Sequence, residues 1–204
     1  MTWVKVCGMR NPSDMEAATE AGADAVGLVL VDGSPRYLEV PDAARLASLS
    51  RVPSVILTLN ASPGSLVDLL EQVGAAGVQP YGEHVPEAAR AASEAGAFVL
   101  RPIRVRGPVD LATIPLSDTA LLDGYSSRGL GGTGKRIDSR WLPPPGSRYV
   151  LAGGLDPSNV AGAVARYRPW GVDASSGLES SPGVKDHGRI RDFVRNAKQV
   201  EIQR

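Results

Sequence analysis

The segment "KVCGM" (residues 5–9) holds the only cysteine of the chain, at the end of its first apolar run. A buried free cysteine packs as a small, inert hydrophobe, whereas its thiolate is a nucleophile and a base. Lys5 stands two residues earlier, which in an extended strand puts both side chains on one face. An ammonium beside a thiol favours the thiolate. A second apolar run, "ALLDG" (120–124), ends on Asp123. Such a carboxylate can cap a helix or pair with a lysine, and in a cavity it can exchange protons with a substrate. Cys7 and Asp123 thus form a candidate base–acid pair. Glycine-rich segments recur at "GLGGTGK" (129–135), "AGGLDPSN" (152–159) and "ASSGLE" (174–179). Tight turns need glycine in any case, but bare N–H groups at Gly153, Gly154, Ser176 and Gly177 can also surround a phosphate. "GGTGK" shares part of a nucleotide-binding P-loop, yet Arg136 follows the lysine where Ser or Thr is required. Arg36, in "SPRYL" (34–38), is either a surface charge or a fork for a carboxylate. His84 and His187 lie far from Cys7 in sequence and offer no zinc-ligand spacing.

The punctuation of the chain says what must position these residues. Short apolar runs predict strands at 3–8, 25–30, 54–59, 77–82, 98–103, 120–124, 149–154 and 171–176. Several are continuous Val- or Leu-rich runs, the pattern of parallel strands covered by helices. Between them, polar caps and terminal glycines bracket helices at 11–22, 41–50, 62–74, 85–96, 156–168 and 186–200. Helices at 108–116 and 138–142 are stunted, and "PPP" (143–145) stops the second. Eight strands, each followed by a helix or its remnant, predict a compact α/β fold, a (β/α)8 barrel. One such domain takes up residues 1–204. An open doubly wound sheet would call for a G-x-G-x-x-G turn after its first strand, and none follows. In a barrel, chemistry sits at the C-terminal strand ends, and phosphates are held by the last two loops. Alternation turns Val4, Val6 and Leu122 toward the helices, and Lys5, Cys7, Leu121, Asp123, Asp173 and Ser175 inward.

Composition narrows the partners. Of 204 residues, 43% are apolar and 22% charged, ordinary values for a globular chain. Twenty-two basic residues balance 22 acidic ones, so no basic excess points to nucleic acid. No apolar run approaches the ~20 residues of a membrane-spanning helix, and no secretory leader is evident at the N-terminus. A lone cysteine cannot form an internal disulfide, which fits a reducing, cytoplasmic setting.

Taken in order, "KVCGM", "SPR", "LLDG…GGTG", "AGGLDPSNV", "DASSGLE" and "PGVKD" resemble the phosphoribosylanthranilate isomerase family of tryptophan biosynthesis. The resemblance runs from Lys5 to Asp186. It implies a barrel enzyme that uses no cofactor and no metal, and a small phosphoribosyl substrate. It also implies an Amadori rearrangement of N-(5-phosphoribosyl)anthranilate to the 1-deoxyribulose 5-phosphate. By the same resemblance Cys7 is the general base and Asp123 the general acid. Arg36 then meets the anthranilate carboxylate, and the turns at Gly153–Gly154 and Ser176–Gly177 hold phosphate. The chain departs from the family at strand 4, where "QPYG" (79–82) stands for the usual Gln-Leu-His-Gly. Pro80 there should remove a ladder donor from a central strand. Two other readings stay open: the related histidine-pathway isomerase, which carries Asp in place of Cys7, and a non-catalytic barrel that binds a phosphometabolite. Monomer and homodimer are equally compatible with the sequence.

Overall fold

Eight parallel strands close on themselves in chain order, β1 to β8, in the computed structural model, which describes residues 1–124 and 137–200. The strands are β1 (Trp3–Cys7), β2 (Ala25–Val29), β3 (Ser54–Leu59), β4 (Gly77–Tyr81), β5 (Phe98–Val105), β6 (Asp118–Gly124), β7 (Tyr149–Leu151) and β8 (Gly171–Ala174). Pairing of β1 with both β2 and β8 shuts the ring and leaves no sheet edge. This is the predicted (β/α)8 barrel. Among the described residues six helices surround it: α1 (Pro12–Glu20), α2 (Val40–Leu49), α3 (Pro63–Val73), α4 (Val85–Glu94), α5 (Val160–Tyr167) and α6 (His187–Lys198). The stunted helices are single 3-10 turns at Leu111–Thr113 and Ser139–Trp141. No described helix is long and apolar enough to cross a membrane. The glycine-rich segment at 129–135 lies outside the described residues.

Local chemistry sets the helix boundaries. Asn11, Ser62 and Asp186 each accept a backbone N–H of the first turn of α1, α3 and α6. Gly74 ends α3 in the left-handed conformation, with φ 68°. Helices α1 to α4 each begin with a proline in the first turn, where its missing N–H costs nothing.

Strand alternation then builds two layers. Val4, Val6, Val26, Leu28, Ile56, Val78, Leu122 and Val172 are buried against the helices. Ala25, Val55, Leu100, Leu121, Val150 and Ala152 fill the barrel interior. At the bottom, Trp3 stacks on Trp170 with ring centroids 5.1 Å apart, and the Arg148 guanidinium lies 4.3 Å over the Trp170 ring. Above the apolar interior sits a fully buried ammonium. Lys5 Nζ donates to Asp173 Oδ1 at 2.8 Å and to Gln79 Oε1 at 3.1 Å. The pair staples β1 to β8 at the seam and reaches across to β4.

Several expected boundaries shift, each for a local reason. β7 ends at Leu151, not 154, because Gly153 and Gly154 turn with φ of 81° and 67°. α5 starts at Val160, not 156, since Asp156–Asn159 form a hydrogen-bonded turn. β8 stops at Ala174, and Ser176–Leu178 follow as a 3-10 turn. A small antiparallel hairpin, β9 (Glu179–Ser181) and β10 (Val184–Lys185), precedes α6 and was not anticipated. Pro182-Gly183, with Gly183 at φ 81°, supplies its turn. Pro80 does not break β4. It stays in register with Thr58 of β3, while the pairing of β4 with β5 ends at Val78–Val99. The Tyr81 carbonyl accepts from Asn60 on the β3 side, so the backbone of Pro80 faces β5, where the ladder has already ended. No N–H is missed there.

The Lys5–Asp173 staple carries a stability prediction. Lys5→Met leaves a buried carboxylate unpaired and should cost ~3–5 kcal/mol. Adding Asp173→Leu should recover most of that, because an apolar pair of similar volume suits a barrel interior. Urea unfolding of the three proteins measures it. A Lys5→Met loss under about 1 kcal/mol would show that the staple does not hold the seam.

Candidate active site

A cavity of about 400 Å³ opens at the C-terminal ends of the strands, the size of a small-molecule site. Cys7, Arg36, Asp123, Gly153, Gly154, Ser176 and Gly177 all line it. Residues up to 170 positions apart in sequence thus converge on one space. The barrel does this by ending every strand at the same rim.

Cys7 ends β1 beside its cradle of charges. Gly27 on β2 stands so close that a Cβ there would come within 2.6 Å of the Cys7 sulfur. The position of the thiol is therefore set by a neighbouring strand that carries no side chain. Burial pushes the Cys7 thiol up, and the attraction of Lys5 only partly offsets this. The sequence suggests that Lys5 lowers Cys7; the net shift is upward. Lys5 is fully buried and shared with Asp173, whose negative charge acts on Cys7 in the opposite sense. Burial also works against the Lys5 ammonium, but Asp173 and Cys7 outweigh it and hold its proton firmly.

Asp123 ends β6, across the barrel mouth. Burial, with the Asp173 charge, pushes its carboxyl up to about 6, against a hydrogen bond from the Gly124 backbone. Gly153 lies directly against it. A Cβ on Gly153 would come within 2.6 Å of Asp123 Oδ1 and of the Gly124 nitrogen. The next turn is packed as tightly, since a Cβ on Gly177 would stand 2.1 Å from the Leu155 carbonyl oxygen. The two glycine turns therefore touch each other, and one of them touches the acid. Beside them the Ser175 hydroxyl is buried with no hydrogen-bond partner among the described residues.

Arg36 is anchored more firmly than its sequence context indicates. Its Nε and Nη2 donate to the two oxygens of Glu179, each at 2.7 Å. Lys185 Nζ joins the same carboxylate at 2.9 Å and donates to the Ser175 carbonyl at 2.9 Å. Burial raises Glu179, but the bonds from Arg36 and Lys185 prevail and keep it below the usual carboxylate range. Burial lowers Lys185, and Glu179 compensates only partly. Two cations on one carboxylate leave the cluster with an excess positive charge beside the cavity. Glu179 and Lys185 escaped the sequence reading, although both sit in the quoted motifs "DASSGLE" and "PGVKD". Their partnership with Arg36 needs the hairpin, which folds Glu179 back toward the β2 loop.

Another wall of the cavity is apolar. Val29, Val31 and Leu57 pack with Cys7, and Tyr81 covers them from β4. Tyr81 accepts a hydrogen bond from Gln79 Nε2. The cavity thus has an apolar side toward β2–β4, a glycine-lined side at β7–β8, and Cys7 and Asp123 between them.

Residues 4–196 match the model of the N-(5'-phosphoribosyl)anthranilate isomerase family. N-(5'-phosphoribosyl)anthranilate isomerase of Myxococcus xanthus is 42% identical over 212 residues, which cover 98% of this chain and 97% of that protein. Phosphoribosyl anthranilate isomerase from Thermotoga maritima superposes with a TM-score of 0.87 at 36% identity, covering 97% of this chain and 99% of that one. A further crystal structure of such an isomerase, complexed with reduced 1-(o-carboxyphenylamino)-1-deoxyribulose 5-phosphate, has a TM-score of 0.80 at 34% identity. It covers 97% of this chain and 99% of its own. Sequence, barrel and relatives agree, and the chain belongs to the N-(5'-phosphoribosyl)anthranilate isomerase family.

Proposed function

We propose that this protein isomerises N-(5'-phosphoribosyl)anthranilate, with Asp123 as general acid and Cys7 as general base. The observation that carries this reading is that a buried thiol and a carboxyl raised to about 6 face one cavity from β1 and β6. In the first step Asp123 gives its proton to the ring oxygen of the sugar. The C1–O bond breaks, and the nitrogen lone pair forms C1=N. In the second step the Cys7 thiolate takes the proton from C2, that electron pair becomes the C1=C2 bond of the enolamine, and the C1=N pair returns to nitrogen. In the tautomerisation to the ketone the C2 hydroxyl gives up a proton, which replaces the one Asp123 donated. C1 takes up a proton, which discharges the one Cys7 accepted, so that no atom is gained or lost and the scheme draws on no cofactor.

The walls fit the rest of such a substrate. The apolar side formed by Val29, Val31, Leu57 and Tyr81 suits the aromatic ring. Excess positive charge at Arg36 and Lys185 suits its carboxylate, with Glu179 leaving Arg36 Nη1 free of that pair. The N–H groups near Gly153, Gly154, Ser176 and Gly177 suit the phosphate, which fixes the far end and turns remote binding into orientation.

Turnover of phosphoribosylanthranilate, followed by the loss of its fluorescence, tests the reading, with the histidine-pathway substrate alongside. Cys7→Ala should lower kcat by ~10²–10⁴-fold or more with the fold intact. A near-normal kcat would place the base elsewhere.

The pH dependence follows from the two shifts. The working form needs Asp123 protonated and Cys7 ionised, yet Asp123 releases its proton first. As pH rises toward about 6 the thiolate fraction grows while Asp123 stays protonated, so kcat/KM climbs. Above that value the gain in thiolate is offset by loss of the acid, and the curve is level. Beyond the raised value of Cys7 it falls. A bell is expected, with its acid limb near 6 and its alkaline limb above the ordinary cysteine value. Asp123→Asn should suppress kcat and remove the break near 6, so that the residual rate climbs up to the cysteine value and then levels. Retention of the break near 6 in Asp123→Asn would assign it to another group.

Arg36→Ala should raise KM by roughly tenfold or more and leave kcat nearly unchanged, because a carboxylate is bound alike in the ground and transition states. A fall in kcat at constant KM would give Arg36 a role in the chemical step.

A further inference from the structure

Tyr81 lines the cavity, the mechanism assigns it no polar role, and its hydrogen bonding has a fixed direction. Lys5 is a pure donor, so the Gln79 oxygen must face it, at 3.1 Å. That turns the Gln79 amide nitrogen, also a pure donor, toward Tyr81. The Tyr81 oxygen is therefore an acceptor in this bond, and its own proton must point elsewhere. Among the described residues none accepts it. Asp123, the charge that acts most strongly on Tyr81, has its hydrogen bond from the Gly124 backbone instead. Gln79 is only 2% exposed, so the amide has no freedom to reverse. The Tyr81 ring lines the cavity together with Cys7 and Asp123.

We propose that Tyr81 is a substrate-binding donor, its phenolic proton aimed by the Lys5–Gln79 relay at a hydroxyl oxygen of the substrate's sugar chain. The inference rests on the proposed reaction, because that reaction puts the reacting sugar carbons between Cys7 and Asp123. Burial with nearby negative charge raises Tyr81, so the hydroxyl keeps its proton throughout the working pH range. The donor is neutral, matched to a neutral hydroxyl; the anionic ends of the substrate are left to Arg36 and the glycine turns.

Tyr81→Phe keeps the ring and removes only the donor. Wild-type turnover of phosphoribosylanthranilate is measured first, and its absence would overturn the proposed function as a whole. Given turnover, Tyr81→Phe should weaken binding of reduced 1-(o-carboxyphenylamino)-1-deoxyribulose 5-phosphate by about 3- to 10-fold, the value of one neutral hydrogen bond. Inhibition by anthranilate, which has no sugar, should change less than about twofold, within the spread of such measurements. The alkaline limb of kcat/KM should not move. Unchanged affinity for the analogue would overturn the inference and leave the function standing. An equal loss for anthranilate would overturn it too, by showing a displaced ring. So would a shifted alkaline limb, which would mean that Tyr81 acts on Cys7 through the relay. If Tyr81→Phe does not fold, 3-fluorotyrosine installed at position 81 serves, since a more acidic hydroxyl should bind the analogue more tightly. Equal or weaker binding would refute the proposal.

Discussion

A buried ammonium governs the architecture of this site. Lys5 is wholly removed from water and survives because Asp173 and Gln79 satisfy it. These residues come from β1, β8 and β4, the two strands at the seam and one across the ring. Closing the barrel is therefore the same event as completing the cradle. The cradle in turn forms the floor of the cavity, with Cys7 one strand step above Lys5. A charge placed there is a poor way to gain stability but an effective way to fix three strand ends relative to one another.

The same burial sets the chemistry. It raises both members of the proposed acid–base pair, in opposite senses for readiness. Asp123 moves toward the protonated form it needs, while Cys7 moves away from the thiolate it needs. Lys5 limits the second effect without cancelling it, since Asp173 claims the same ammonium. The burial that strengthens electrostatic contacts in the site thus also keeps the proposed base mostly protonated. In the proposed scheme only a minor protonation state reacts.

The barrel is legible in the sequence because parallel strands buried on both faces leave continuous apolar runs, and glycine or proline marks their ends. Alternation within "WVKVC" and "ALLDG" suffices to place Lys5, Cys7 and Asp123 inside. Contacts between distant segments are less accessible. Arg36 finds Glu179 143 residues away, through a hairpin that the sequence reading does not contain. The direction of the Cys7 shift was also out of reach, because it is a difference between burial and attraction, and sequence gives the partners without the depth. Pro80 shows the reverse case. A residue that should break a central strand is harmless, because β4 parts from β5 two residues before it.

The β8–α6 connection ties the two ends of the site together. Its first part, Ser175–Gly177, packs against the β7 turn, where Gly177 tolerates no side chain beside the Leu155 carbonyl. Its second part, the β9–β10 hairpin, brings Glu179 and Lys185 to Arg36. Lys185 bridges the two parts by donating to the Ser175 carbonyl as well as to Glu179. In the proposed binding mode, one short segment therefore sets the distance between the phosphate turns and the carboxylate anchor. On that proposal this distance must match the length of the substrate, with Cys7 and Asp123 fixed to the barrel between its ends. Loops would then hold the termini and strands the chemistry, so a change in hairpin geometry would alter which molecule fits while leaving the proposed reacting pair in place.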